Sequence, residues 1–354
     1  KQLPQQSRFN PLFCKLLAHR ISIQEPGRRV CGGNFAGQAL SSMLGYSLRM
    51  PWPPVKPYPK FTFPAILLAL PHPTAPLAAL ISGCTPPLAE TTTFYPPDSS
   101  GPYTPSATTF TFTDHRGKTI RAEMWYPTDD DCEPFRYPEI PIAGTACRDA
   151  NRFGESWPLV AFSHGFSGIR YQSIFMTEWL ASHGYVVVAP DHEFNTMLDL
   201  DEDYTAQVAL ERPGDISATV DAVSGAFPGL VDDSRFVMTG HSFGGWTTNV
   251  VAGGTADMQA LADFCSIDDS YDLCNLEIDA SAMLESGPDP RVIAAISMAP
   301  AGWYSFSDFD GMAPMLLMGG ESDESESIEA EIQPLYDRLP APKRMAVLAG
   351  AGHY

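Results

Sequence analysis

Ser242 lies in the stretch Val237-Met238-Thr239-Gly240-His241-Ser242-Phe243-Gly244-Gly245-Trp246, an apolar run that ends in a serine between glycines and opens into a helical pattern. This is the G-x-S-x-G spacing, which holds a serine on a sharp strand-to-helix turn with its hydroxyl exposed to a base. Such a turn leaves little room beside its backbone, so Gly240 and Gly244 are expected where a Cβ would clash. The helix that follows aims N–H groups and a positive dipole end at developing negative charge. The chemistry suggested is nucleophilic attack on a carbonyl, with Ser242 as the attacking group.

An attacking serine needs a base, an acid to orient that base, and donors for the oxyanion. The apolar run at residues 158–162 leads into Ser163-His164-Gly165-Phe166-Ser167-Gly168, a turn after a central strand and before a helix. The N–H of Phe166 and the N–H of Phe243 are therefore the expected oxyanion donors. His164 is expected to hold its loop by hydrogen bonding rather than to act as the base. The run Met315-Leu316-Leu317-Met318-Gly319-Gly320 is followed by Glu321, Asp323 and Glu324. Asp323 is the expected acid, with Glu321 in reserve. His353, on the Gly-rich stretch after the run at residues 344–348, is the expected base and completes the chain order Ser, Asp, His. Trp303 and Tyr304 follow the apolar run at residues 292–298. As an aromatic pair at the carboxyl end of a strand they either bind substrate or pack beneath a neighbouring segment.

The elements that must position these groups alternate. Residues 110–113 and 119–126 read as an edge hairpin around Asp114-His115-Arg116-Gly117. The short, wholly apolar run at 158–162 reads as a strand buried on both faces, 185–192 as another buried strand ending in a polar loop, and 292–298 and 315–320 as the strands that follow. Helical patterns lie between them, at about 171–183 and from Arg212-Pro213-Gly214-Asp215-Ile216, where Pro213 is expected in the first turn. The fold class is α/β, with a mostly parallel sheet and helices on both faces. Residues 253–290 interrupt the alternation as an acidic, cysteine-bearing insertion.

The net charge of the 354-residue chain is −20. It is divided: residues 1–60 hold nine Lys/Arg and one acid, Glu25, and the rest is strongly acidic. An acidic body repels phosphate backbones and anionic membranes, so no nucleic-acid partner is expected. The Asp199-Leu200-Asp201-Glu202-Asp203 run lacks the glycine and spacing of a calcium loop, and no nucleotide-binding loop is present. Neither metal nor cofactor is expected. Among the seven cysteines, Cys132 with Cys147 and Cys265 with Cys274 each flank a short loop, which predicts two local disulfides and an oxidising compartment. Residues 50–84 read as a signal peptide. It ends in Ile81-Ser82-Gly83-Cys84, so Cys84 is the expected lipidation site. Residues 1–49 read as an upstream extension and 85–107 as a Pro/Thr/Ser-rich tether, leaving 108–354 as the catalytic domain. A monomer in the cell envelope or secreted is expected, touching membrane only through its lipid anchor.

Three stretches carry a family likeness: Ala161-Phe162-Ser163-His164-Gly165-Phe166, the segment from Leu180 to His192, and Gly240-His241-Ser242-Phe243-Gly244-Gly245. Over residues 108–353 the chain resembles α/β-hydrolases of the platelet-activating-factor acetylhydrolase group and bacterial proteins called predicted dienelactone hydrolases. Bacterial cutinases and polyester hydrolases share the layout. The resemblance implies an α/β-hydrolase fold and a serine carboxylic-ester hydrolase working through an acyl-enzyme. Ser242, Asp323 and His353 would form its triad, with Phe166 and Phe243 as oxyanion donors. Short-chain or (phospho)lipid acyl esters are the expected substrates. Alternatives are a polyester or cutin hydrolase, an acyltransferase, and a non-catalytic surface protein on the same fold. Dienelactone hydrolases proper use a cysteine nucleophile, whereas position 242 is serine. Members of the fold continue beyond the histidine into a helix, so the sequence reads as C-terminally truncated.

Overall fold

The computed structural model describes residues 98–140 and 142–354. The expected signal, Cys84, the upstream extension and most of the expected tether lie outside the described residues. Strand β1 (Thr104–Thr113) begins within the stretch read as tether and pairs antiparallel with β2 (Thr119–Thr128). After the long connection at residues 129–146 come β3 (Cys147–Arg148) and β4 (Trp157–Ser163), followed by α1 (Ile174–Ser182) and β5 (Val186–Pro190). The chain continues through α2 (Thr205–Ala226), β6 (Val231–His241) and α3 (Phe243–Val251). The insertion holds β7 (Thr255–Ala256) and α4 (Met258–Cys265). Finally come β8 (Val292–Met298), β9 (Phe306–Asp308), β10 (Met315–Gly320), α5 (Gln333–Arg338) and β11 (Lys343–Leu348).

Among the described residues nine strands form one sheet in the order β11-β10-β8-β6-β4-β5-β2-β1-β3. From β11 to β5 every neighbouring pair is parallel, and β2 and β1 add antiparallel strands toward the edge. The apolar runs explain this. Every residue of β5 and of β10 is buried, as a strand covered on both faces requires. Burying Val186, Val187 and Val188 contributes about 2 kcal/mol each. All nine residues of α3 are buried as well, and it packs against β6, β8 and β4 beneath the sheet's carboxyl edge. The other helices pack around the sheet. This is the α/β-hydrolase fold.

One expectation is corrected. The helix expected to open at Arg212 and Pro213 begins at Thr205, so Pro213 sits in its interior. The start signal lies earlier, in the acidic run: the Asp201 side chain accepts from the Asp203 N–H and caps the 3₁₀ turn that leads into α2. An interior proline removes one helical hydrogen bond. Tertiary contacts offset that loss here, because Arg212, Pro213, Asp215 and Ile216 are all buried.

Both expected disulfides are present, Cys132–Cys147 and Cys265–Cys274. The second closes the insertion, whose α4 packs against the turn at Trp303–Ser305. Among the described residues no helix is long and apolar enough to cross a membrane. Replacing Cys265 and Cys274 together by serine should cost about 2–3 kcal/mol by the loop-closure argument. Calorimetry should then read a melting temperature roughly 5–10 °C lower. An unchanged melting temperature would mean that this bridge adds nothing to the folded state.

Candidate active site

Ser242 occupies the turn between β6 and α3 with φ 58° and ψ −121°. A non-glycine residue in this region is strained, and such strain persists only where the surroundings over-determine it. Three observations show how it is held. The Ser242 N–H donates to the Met298 carbonyl at 2.8 Å, fixing the turn to the end of β8. A Cβ on Gly240 would lie 2.1 Å from the Gly244 carbonyl oxygen. One on Gly244 would lie 2.0 Å from the Ser163 carbonyl oxygen. Both glycines are therefore required by contact, and the second contact presses α3 against the end of β4.

That end of β4 carries the loop from Ser163 to Gly168. A Cβ on Gly165 would be 3.3 Å from the Ser242 Cβ, so the loop lies directly against the serine. Phe166, one residue on, is exposed, and Phe243 is buried as the first residue of α3. First-turn N–H groups have no carbonyl within the helix to bond, so the Phe243 N–H is free of the helical ladder. His164 is fully buried. Its Nδ1 meets the Gly165 carbonyl at 2.7 Å, and its Nε2 accepts from the His192 N–H at 3.1 Å, which fixes its tautomer. Burial, then the nearby Arg212 charge, hold it well below the usual histidine range, so it serves the loop as a neutral bracket.

Asp323 and His353 meet. Asp323 is buried, and its Oδ2 lies 2.8 Å from His353 Nδ1. Its Oδ1 accepts from the N–H groups of Ser325 and Glu326 at 3.0 and 2.9 Å. Two backbone donors thus leave one carboxylate oxygen aimed at the imidazole. Glu321, the reserve acid, is exposed, and its Oε2 accepts from the Gly350 N–H at 2.8 Å. It braces the loop that carries His353 rather than the ring. His353 in turn sits beside His241, ring centroids 4.7 Å apart, and so next to the turn that bears Ser242.

Trp303 and Tyr304 join an aromatic cluster with the insertion. Tyr304 stacks on Phe264 at 4.2 Å and meets Tyr271 edge-on at 5.0 Å. It is 4% exposed, and its hydroxyl accepts from the Leu273 N–H. The Trp303 indole N–H donates to the Ala330 carbonyl at 2.8 Å. These contacts pack the pair against the insertion.

The sequence reading missed a buried polar group beneath the Ser163–Gly168 loop. Arg212 donates through Nη2 to the His164 carbonyl and to Ser163 Oγ, through Nη1 to Asn195 Oδ1, and through Nε to Thr247 Oγ1. Its guanidinium also lies over the Phe243 ring at 4.5 Å. Ser163 Oγ is 3.0 Å from His192 Nε2, and His192 Nδ1 is 2.9 Å from Asp215 Oδ2. This second Ser–His–Asp line is wholly buried. Buried at every member, it acts as a scaffold, and Asp215 is further paired with Arg116 and Lys118 from the β1–β2 turn. Arg212, Asp215 and Thr219 on a helix that also carries Val208, Ile216 and Val220 inward were the available signal.

Comparison with known proteins agrees with the geometry. Residues 144–198, which include the Ser163–Gly168 loop, match the family model for platelet-activating factor acetylhydrolase, isoform II. The chain is 29% identical over 214 residues to cutinase est2 of Thermobifida alba, covering 58% of this chain and 55% of that protein. It is 25% identical over 210 residues to cutinase 2 of Thermobifida cellulosilytica and to cutinase cut1 of Thermobifida fusca, covering 63% and 51% of them. The chain thus spans about half to three-fifths of the length of these relatives.

Near Asp323 two further acids are buried. Burial, then Glu331, Asp272 and Asp323, push Glu326 up to about 9. Burial likewise raises Glu331 to about 8 against the N–H donors of Gly302 and Trp303. The folded state therefore keeps protons that the unfolded chain releases near 4.5. Stability from this pair is fully present below that value and is lost as pH rises toward 9. Glu326→Gln should raise the melting temperature at pH 9 and leave it nearly unchanged at pH 5. Parallel melting-temperature curves for variant and wild type across that range would contradict the assignment. In its sheet order, in the meeting of its site loops and in these likenesses, the chain has the α/β-hydrolase fold and resembles the platelet-activating factor acetylhydrolases and the cutinases.

Proposed function

We propose that the protein is a serine carboxylic-ester hydrolase in which Ser242, His353 and Asp323 form the catalytic triad. The observation that carries this reading is the 2.8 Å bond from His353 Nδ1 to a buried Asp323, presented beside a strained serine turn. Asp323 keeps the proton of His353 on Nδ1, so the Nε2 lone pair is free to act as base. His353 Nε2 takes the Ser242 proton as Oγ bonds to the ester carbonyl carbon. The carbonyl oxygen becomes an oxyanion, received by the N–H groups of Phe166 and Phe243 at about 3 kcal/mol each. Collapse breaks the bond to the alcohol, which leaves with the proton from His353. Water, deprotonated by the same imidazole, then hydrolyses the acyl-enzyme and restores Ser242.

Exposed apolar side chains near the serine turn support a substrate class. Phe166 is exposed on the loop against Ser242, and the Met197 N–H pairs with the Gly168 carbonyl at 3.0 Å. This ties exposed Met197, and with it exposed Leu198, to the end of that loop. An apolar rim suits esters with an apolar acyl or alcohol part: short-chain esters and acyl esters of lipids. A polyester such as cutin is the second reading, favoured by the cutinase relatives. Secretion, with Cys84 as lipid attachment point, remains part of the proposal, and the two disulfides suit an oxidising compartment.

Ser242→Ala should abolish hydrolysis of p-nitrophenyl butyrate and labelling by a fluorophosphonate probe, and Asp323→Asn should lower kcat by roughly 10³–10⁴-fold. Hydrolysis surviving Ser242→Ala would remove the proposed mechanism.

A further inference from the structure

The hydrogen-bond roles around residue 241 are forced in one direction. The Gly165 N–H donates to Gln172 Oε1 at 2.7 Å, and a backbone N–H has no other role to play. This orients the Gln172 amide and leaves its NH₂ facing His241. That NH₂ has no acceptor capacity, and it lies 2.9 Å from His241 Nδ1, so Nδ1 must carry the lone pair. The ring proton is therefore on Nε2, 2.7 Å from the carbonyl of His353, which accepts it. A single line of bonds runs from the loop after β4, through the residue before the nucleophile, to the backbone of the histidine after β11.

Resting on the serine-esterase reading of the site, we infer that Gln172 and His241 are positioning residues that lock the oxyanion loop and the His353 loop to one another across the Ser242 turn. Neither contacts reacting atoms in the proposed mechanism, and His241 is no rival base because its Nε2 proton is committed to the His353 carbonyl. The line tolerates one protonation state of His241, since a proton on Nδ1 would oppose the Gln172 NH₂. The groups facing the ring agree. Burial, then the neighbouring His353, push it down to about 4, against the His353 carbonyl and the Asp323 carboxylate. Tyr354 also lies against the ring, at 5.2 Å.

The test combines side-chain ¹⁵N NMR of the histidines with kinetics on p-nitrophenyl butyrate. Wild-type His241 should appear at pH 7 as the neutral Nε2–H tautomer. Gln172→Glu keeps the acceptor for Gly165 but turns an acceptor toward Nδ1, so His241 should take a second proton and titrate at least two pH units higher. Gln172→Leu removes both bonds and should lower kcat about 10–100-fold, with KM within about twofold and Ser242 still labelled, more slowly, by fluorophosphonate. An Nδ1–H tautomer in the wild type, an unmoved titration in Gln172→Glu, or unchanged kcat in Gln172→Leu would overturn the inference. The tautomer measurements need no activity and stand if Gln172→Leu fails to fold. Activity surviving Ser242→Ala would instead sink the esterase reading, so the two failures are separable.

Discussion

The site depends on one backbone constraint: Ser242 held at positive φ between a central strand and a fully buried helix. Left to itself this conformation costs of order 1–3 kcal/mol. It persists because the Met298 carbonyl takes the Ser242 N–H and because the two flanking glycines let backbone approach backbone. The Gly244 contact with the Ser163 carbonyl matters most for function. The same close approach that fixes the serine turn also sets the loop carrying Phe166 against it.

From that contact the remaining site groups are placed by polar bonds rather than apolar packing. Arg212 ties the His164 carbonyl, Ser163 and Asn195 together, and lies on the Phe243 ring. Asp215 joins this group to the distant β1–β2 turn through Arg116 and Lys118. On the other side Asp323 is held by two N–H donors and presents one oxygen to His353. A buried, hydrogen-bonded network makes a rigid scaffold, and removing one partner leaves a charge or donor stranded. Rigidity of this kind is what an electrostatic catalyst requires, since donors that must reorganise during reaction contribute less.

Much of this was legible in the sequence because the decisive features are local. The glycine spacing around Ser242 is a steric statement about one turn, and wholly apolar runs such as residues 186–189 announce strands covered on both faces. Asp323 and His353 were legible as candidates because each lies in the loop after an apolar strand, and in the structure the two side chains meet. The two disulfides were likewise legible, since each closes a short loop. What escaped is non-local. The start of α2 was misplaced because Pro213 is a strong local signal, whereas the cap that matters, Asp201, stands in a run that reads as surface charge. Arg212, Asp215 and His192 were invisible as a group because sequence period assigns residues to faces and says nothing about which polar groups meet across them. That Tyr304 packs on Phe264 and Tyr271 of the insertion was likewise beyond local pattern.

The central claim is that the Ser242 hydroxyl becomes covalently acylated. It is tested most directly by trapping the protein during turnover of a slow ester, quenching in acid and locating the added acyl mass by peptide mass spectrometry. The account predicts a single acyl adduct on the peptide containing Ser242, formed as fast as the first product is released. Turnover with no adduct, or an adduct on any other residue, would contradict it.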